Sequence, residues 1–421
     1  MLAVAVPAIA SDLAADPGPL MQWLVASYLL VMIVAQNPSG KLSDRWGHAR
    51  ALTLGQLVFA AGSVVGYWSN GLFLLVAARV MMAVGGAIIV TSVMATIRIR
   101  LPLAQRAKAF GLTSAVMGFA AAIGPLVGGE VASRFGWPAL FLVNVIPLAV
   151  AGVLRWQGRH ASQPAAPCHG DARFDLLGSL LLGAALAMVV IGFQAPAERI
   201  PLLCGGLALL VVFGLWERRV QDPVVDLRLL MRPAFTAGIL VIALQNFAMY
   251  ALLFELPFVL THSFGATLAQ SGRTLLALTL AMVVGSLAVG RMGMNLGSRN
   301  AAVFGASMAL AGGVLLAMAP LSSMAGVIPA LLVLGLGLGL TTPAANAAAM
   351  SAALPQESGM AAAAAGTMRH LGGIAGIAVV GAMVSTDDLV AAHQRSAVIF
   401  AVALAIALAI SFFIPRKSAG E

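Results

Sequence analysis

Leu72 to Met94 is a run of twenty-three residues that carries a single charge, Arg79, and the runs Leu180 to Gln194 and Ala397 to Pro415 resemble it. A helix needs ~20 apolar residues to cross a hydrocarbon core ~30 Å thick. Repeated runs of about this length, separated by short charged breaks, commit the chain to a bundle of membrane-spanning helices. A spanning β-strand would alternate polar and apolar residues with a period of two, and these runs do not alternate. Composition agrees: 61% of the 421 residues are hydrophobic and 9% charged, where a soluble domain has roughly a quarter charged.

Breaks at charged, Pro or Gly clusters place fourteen helices near residues 1–10, 21–40, 51–68, 72–94, 108–129, 139–155, 176–194, 200–216, 235–260, 271–290, 301–319, 326–349, 361–384 and 397–414. The first, "MLAVAVPAIA", is too short to span and reads as a truncated first helix. Basic residues test the count, because loops rich in Lys and Arg stay on the cytoplasmic side. Alternate gaps and the tail hold Lys41, Arg45 and Arg50; Arg98, Arg100, Arg106 and Lys108; Arg155, Arg159 and Arg173; Arg218, Arg219, Arg228 and Arg232; Arg291 and Arg299; and Arg416 and Lys417. These are eighteen of the twenty-four Lys and Arg residues. The opposite loops hold only Arg134, Arg199 and Arg395. Adding or omitting one span would scramble this alternation, so the C-terminus is expected in the cytoplasm of a multi-pass inner (plasma) membrane protein. The net charge of +9 is spread through these loops and reports orientation, not a nucleic-acid partner. Cys168 and Cys204 have no metal-site spacing and read as free thiols.

Two polar segments, Gln157 to Phe174 and Glu217 to Pro233, are longer than tight turns and bracket helices seven and eight. The expected organisation is a six-helix bundle over 1–156, cytoplasmic linkers with two extra helices over 157–234, and a second six-helix bundle with a short tail over 235–421. An internal repeat supports it. "GKLSDRWGHAR", Gly40 to Arg50, is matched by "GRMGMNLGSRN", Gly290 to Asn300, which keeps the glycines and a basic residue but has Met294 where Asp44 stands. Two six-helix halves related by a repeat form a transporter architecture.

Several stretches carry chemistry. In "GKLSDRWGHAR" the glycines permit a tight turn, and Asp44 near a helix N-terminus can pair with a helix dipole or basic residue in one state only. A merely topogenic basic loop is the plainer alternative, but it needs neither the Asp nor the paired glycines. "GLTSAVMGFAAAIGPLVGG", Gly111 to Gly129, combines small residues that let helices approach with a Gly-Pro pair that bends a helix. Arg79 is an intramembrane arginine, expensive and usually functional; it lies eight residues into its span, so snorkelling to the outer interface is also open. Glu255, in "LLFELPFVL", is the exception among acids that otherwise lie in loops. It could trade a proton for a cationic substrate, or reach the outer headgroups near Pro257. Glu130 reads as an interfacial helix-end charge, and His370 as a titratable or a polar packing residue.

These motifs resemble the major facilitator superfamily, and in particular its fourteen-span drug:proton antiporter branch. Gly40, Asp44, Arg45, Gly47 and Arg50 match the superfamily's signature between helices two and three, a conformational switch. Gly111, Gly124, Pro125, Gly128 and Gly129 match the antiporter motif of helix five, associated with export, while Ala120 replaces a Gly. Arg79 matches a helix-four arginine linked to proton transfer, although Met82 and Ala83 replace the usual Gln-Gly. "WPALFLVNVIP", "FDLLG", "VDLRLLMRPAF", "LGLGLGLTTPAANAAAM" and "GTMRHLGGIAGIAVVGAM" extend the likeness over nearly the whole chain. The departure is in the first helix: the family's Asp falls a few residues before the segment with which this sequence begins, and Ala3 replaces an Asn, so either the start lies upstream or the chain couples differently or not at all.

The resemblance implies an all-α integral membrane protein of the major facilitator fold and a proton-coupled exporter of amphiphilic or cationic small molecules. It would work by alternating access without a cofactor or metal. Proton coupling falls to Arg79 and Glu255, and the substrate cavity to Gln36, Asn37, Gln245, Asn246 and Asn346, with Phe, Met and Trp side chains that tolerate many shapes. The expected partners are a small-molecule substrate, protons and the lipid bilayer, with the chain a monomer and not an enzyme. The alternatives are a transporter of one specific metabolite on the same scaffold and a membrane sensor or assembly protein that no longer transports. No G-x-x-x-x-G-K-[ST] phosphate loop for an ATP-driven pump occurs.

Overall fold

The computed structural model describes residues 2–16, 20, 22–100, 116, 120, 123–157, 175–194, 198–220, 227–318, 324–353, 358–384 and 389–416. These fall into fourteen helical segments. They are α1 (Leu2–Asp12), α2 (a π-helical turn Gln22–Ala26 running into Ser27–Trp46), α3 (His48–Tyr67) and α4 (Leu72–Arg100). Next come α5, helical over 123–135, and α6, built from Ala139–Val143 and Val145–Gln157. The extra pair is α7 (Leu176–Gln194) and α8 (Arg199–Glu217), and a single turn, Leu227–Leu230, precedes α9 (Pro233–Phe264). Leu268–Met318 is broken at Gly297 into α10 and α11. The last three are α12 (Met324–Ser351), α13 (Ser358–Val384) and α14 (Leu389–Ser411). Eight helices among the described residues are long and apolar enough to cross a membrane.

Where its residues are described, each expected span contains helix, and three of the boundary shifts matter here. The stretch read as a loop from Lys41 onward is helical to Trp46, and the chain turns at Gly47 alone, with φ 84° and ψ 136°. Its repeat partner behaves alike: the helix runs through Gly290 to Leu296 and breaks at Gly297, with φ 70° and ψ 156°. Both glycines occupy backbone conformations that other residues rarely adopt, and they stand at equivalent positions of the two motifs. Asp44 therefore lies near the end of one helix as well as just before the start of the next. The third shift is α14, which begins at Leu389 instead of 397, so "HQRS" is helix and not loop. Polar residues do not end a helix, because its backbone bonds are internal.

Contacts gather the helices into two units. In the unit of residues 23–117 and 134–224, α3 and α4 meet through Gly55 and Gly85, where an added Cβ on Gly85 would come within 2.6 Å of the Phe59 amide. In the unit of residues 1–22, 118–133 and 225–421, α12 packs between α10 and α11. The alternation in "LGLGLGL" explains how. Residues four apart share a helix face and the one between them points elsewhere. Thus Gly335 and Gly339 press on Leu278 and Met282 of α10, while Gly337 presses on Gly305 and Ala309 of α11. Small residues take the place that hydrophobicity fills in water, since lipid is as apolar as Leu.

Candidate functional site

Arg79 of α4 points at α2. Its Nε–H donates to the Leu24 carbonyl at 3.1 Å, and its guanidinium carbon sits 4.2 Å from the centre of the Tyr28 ring. Leu24 lies in the π-helical turn, a feature that recurs at functional sites. The arginine is thus held by a neighbouring helix and does not reach outward alone. Gly86 makes the room, since a Cβ there would approach Tyr28 Oη to 3.2 Å, and Met32, Ala83 and Ala87 wall the site. The partner that Met82 and Ala83 do not supply comes from α2, which local sequence around Arg79 could not reveal.

Glu255 of α9 is completely buried. Its Oε1 lies 3.4 Å from His393 Nδ1 of α14, and each side chain is 1% exposed. Neither carboxylate oxygen and neither ring nitrogen has a hydrogen-bond partner. Glu255 therefore faces protein and not the outer headgroups. Sequence reasoning missed His393 because it fell in the stretch read as loop.

Of the cavity candidates, Gln245 and Asn246 are buried. Thr342 of α12 donates to Gln245 Oε1 at 3.0 Å, and Asn346 Nδ2 donates to the Thr342 carbonyl at 3.0 Å. Gln245, Thr342 and Asn346 thus form one polar patch across α9 and α12, and Gln245 Nε2 is buried without a partner. Asn246 instead donates to the Ile242 carbonyl at 2.8 Å within its own helix. Thr342 escaped the sequence reading because a Thr in an apolar run is unremarkable. Gln36 is partly exposed on α2, and the side chain of Asn37 lies outside the described residues.

In the switch motif Arg50 is exposed and Gly47 turns the chain, Gly40 lies within α2, and the side chains of Asp44 and Arg45 lie outside the described residues. Ser43 Oγ lies 2.6 Å from His48 Nδ1 and ties the end of α2 to the start of α3. In the helix-five motif Gly124, Pro125, Gly128 and Gly129 are buried, and Gly111 lies outside the described residues. An added Cβ on Gly129 would strike the Leu268 carbonyl, and one on Gly272 the Pro125 carbonyl. The motif is therefore a surface for close approach to α10. Beside it Glu130 accepts from Arg273 Nε–H at 3.0 Å, with Nη2 also in contact. His370 Nδ1 is buried without a hydrogen-bond partner.

The model of the Major Facilitator Superfamily matches residues 1–377 of the chain. The chain belongs to the Major Facilitator Superfamily. It is similar to the riboflavin transporter RibZ of Clostridioides difficile (strain 630), 28% identical over 88% of this chain and 81% of the relative. It is also similar to the tetracenomycin C resistance and export protein of Streptomyces glaucescens, 30% identical over 92% of this chain and 72% of the relative. Among solved structures, a mutant peptide transporter POT in complex with alafosfalin matches with a TM-score of 0.72 and 14% identity, over 99% of this chain and 92% of that one. That likeness is one of fold. The superfamily and these relatives are transporters, which are not enzymes. The major facilitator assignment gives the buried ionisable groups a context: a membrane transporter for small molecules that holds Arg79 and Glu255 inside its helices.

Proposed function

We propose that this chain is a proton-coupled secondary exporter of amphiphilic or cationic small molecules, acting as a monomer in the inner (plasma) membrane with its C-terminus in the cytoplasm. Two six-helix halves, flanking the α7–α8 pair, would alternate access to a central cavity. The observation that carries this reading is that each half keeps an ionisable side chain inside a membrane helix: Arg79 against the Leu24 carbonyl and Tyr28, and Glu255 fully buried in α9. Charge at such a depth is costly and is retained for ion or substrate pathways. The Gly-Pro-x-x-Gly-Gly array of α5 and the likeness to a protein named for resistance and export favour the outward direction. Glu255 and Arg79 serve proton coupling, Asp44 with Gly40, Arg45, Gly47 and Arg50 the conformational switch, and Gln36, Asn37, Gln245, Asn246 and Asn346 the cavity.

A second reading is transport of one metabolite on the same scaffold, favoured by the likeness to a riboflavin transporter. A panel of dyes and drugs tested for efflux from cells expressing the protein separates the two. Several structurally unrelated compounds moved supports the first, and one compound moved supports the second.

A further inference from the structure

We infer that Glu255 and His393 act as one proton-binding site, with His393 the residue that shares and positions the proton carried by Glu255. This rests on the antiport reading for the use made of the proton.

The geometry is that of a buried pair without other hydrogen-bond partners. Glu255 and His393 lie on one seam between α9 and α14. Phe247, eight residues before Glu255, meets Phe400, seven residues after His393, edge-on with ring centres 6.4 Å apart. Two helical turns separate the contacts on each side of this antiparallel seam. Near the pair along the two helices, Leu252, Phe254, Leu256, Ala392 and Ala397 are buried, as is Ser396, whose hydroxyl donates to Met383 Sδ. At 3.4 Å the two groups approach without forming a hydrogen bond, and all four of their polar atoms are otherwise unpartnered. Burying a polar group without a partner opposes folding, and a well-packed apolar pair of similar volume is commonly as stable as a buried ion pair or more so. A seam built only for adhesion has no need of these two residues. A site that gains and loses a proton does.

Other titratable side chains on the packed helices do not hydrogen-bond to the pair. On α9, Tyr250 lies five residues earlier and His262 is exposed. On α14, Arg395 is exposed, as is Asp12 of α1. Arg273 of α10 is paired with Glu130, Arg299 of α11 lies over Phe412, and the side chain of Arg291 is outside the described residues. Arg369 and His370 lie on α13 fourteen or more residues before its end, and α12 carries no titratable residue. Asp387 and Asp388 lie outside the described residues.

With one proton between Glu255 Oε1 and His393 Nδ1 the pair is neutral, as acid and imidazole or as carboxylate and imidazolium. When that proton leaves to water the pair carries one negative charge. The proton belongs to the pair, so changing either member changes the affinity of the other.

The test uses the full chain reconstituted in lipid, with Glu255→Gln, His393→Gln and His393→Asn, the last serving if the Gln variant does not fold. Infrared titration should show a protonated-carboxyl band that Glu255→Gln abolishes. Its midpoint should move by about one pH unit, tenfold in proton affinity, in the His393 variants. In transport assays these variants should lose at least about tenfold of gradient-driven efflux while substrate-for-substrate exchange persists. An unmoved midpoint in the His393 variants, or a band that survives Glu255→Gln, overturns the inference even if efflux is gradient-driven. A wild type whose efflux ignores the gradient instead defeats the antiport reading, and the infrared result still decides the pair.

Discussion

Replacing Gly47 by Ala tests whether the turn between α2 and α3 depends on glycine. The residue sits at φ 84° and ψ 136°, where a Cβ is disfavoured by about 1–3 kcal/mol. No heavy atom lies within 4 Å of an added Cβ, so the whole cost is conformational. That range shifts an unfolding equilibrium about 5- to 150-fold. Gly297, at φ 70° and ψ 156°, should cost more, because its Cβ would also come within 2.8 Å of the Arg416 carbonyl oxygen. Gly71→Ala is the control: nothing lies within 4 Å of its Cβ and its φ is not positive. Chemical unfolding of the purified proteins in detergent should rank Gly71→Ala as nearly neutral, Gly47→Ala as destabilised and Gly297→Ala as most destabilised. Equal stability of Gly47→Ala and Gly71→Ala would refute the reasoning.

Arg79→Leu should insert normally yet lose efflux, since it removes a charge-assisted hydrogen bond of about 1.5–3 kcal/mol. Tyr28→Phe, which keeps the ring beneath the guanidinium, should stay within about twofold of wild type, and Tyr28→Leu should not; dye-efflux rates measure all three. Asp175 caps α7, its Oδ1 accepting from the Gly178 amide at 2.7 Å and from Trp216 Nε1–H at 2.9 Å. Asp175→Ala should therefore cost about 1 kcal/mol for the cap and about 1–3 kcal/mol for the orphaned indole, visible as lower unfolding stability and altered Trp fluorescence. Asp175→Asn, which keeps an oxygen at the cap, should cost less. Asp44→Asn should impair efflux while leaving membrane insertion and expression intact, measured by transport beside quantitative blotting of membranes.

Hydropathy and charge alternation made the spans legible, because burying apolar side chains in lipid and keeping Arg in the cytoplasm are properties of single segments. Boundaries were less legible where polar residues continue a helix, as at Lys41 to Trp46 and at His393 to Ser396. Only the backbone conformation at Gly47 ends α2, as that at Gly297 ends α10. Arg79 and Glu255 stood out as ionisable residues in apolar runs. Tyr28, Thr342 and His393 did not, since their importance depends on which helix lies opposite and in what register. The glycines of α12 were visible as a pattern, but their division between α10 and α11 required the packed helices.

In the proposed function protons drive outward transport. Proteoliposomes containing the wild-type protein, loaded with a cationic fluorescent dye and given an imposed pH gradient, test it most directly. Dye transport that rises with the gradient and stops when a protonophore collapses it is the predicted result. Transport at an unchanged rate with the gradient imposed, reversed or abolished would contradict it.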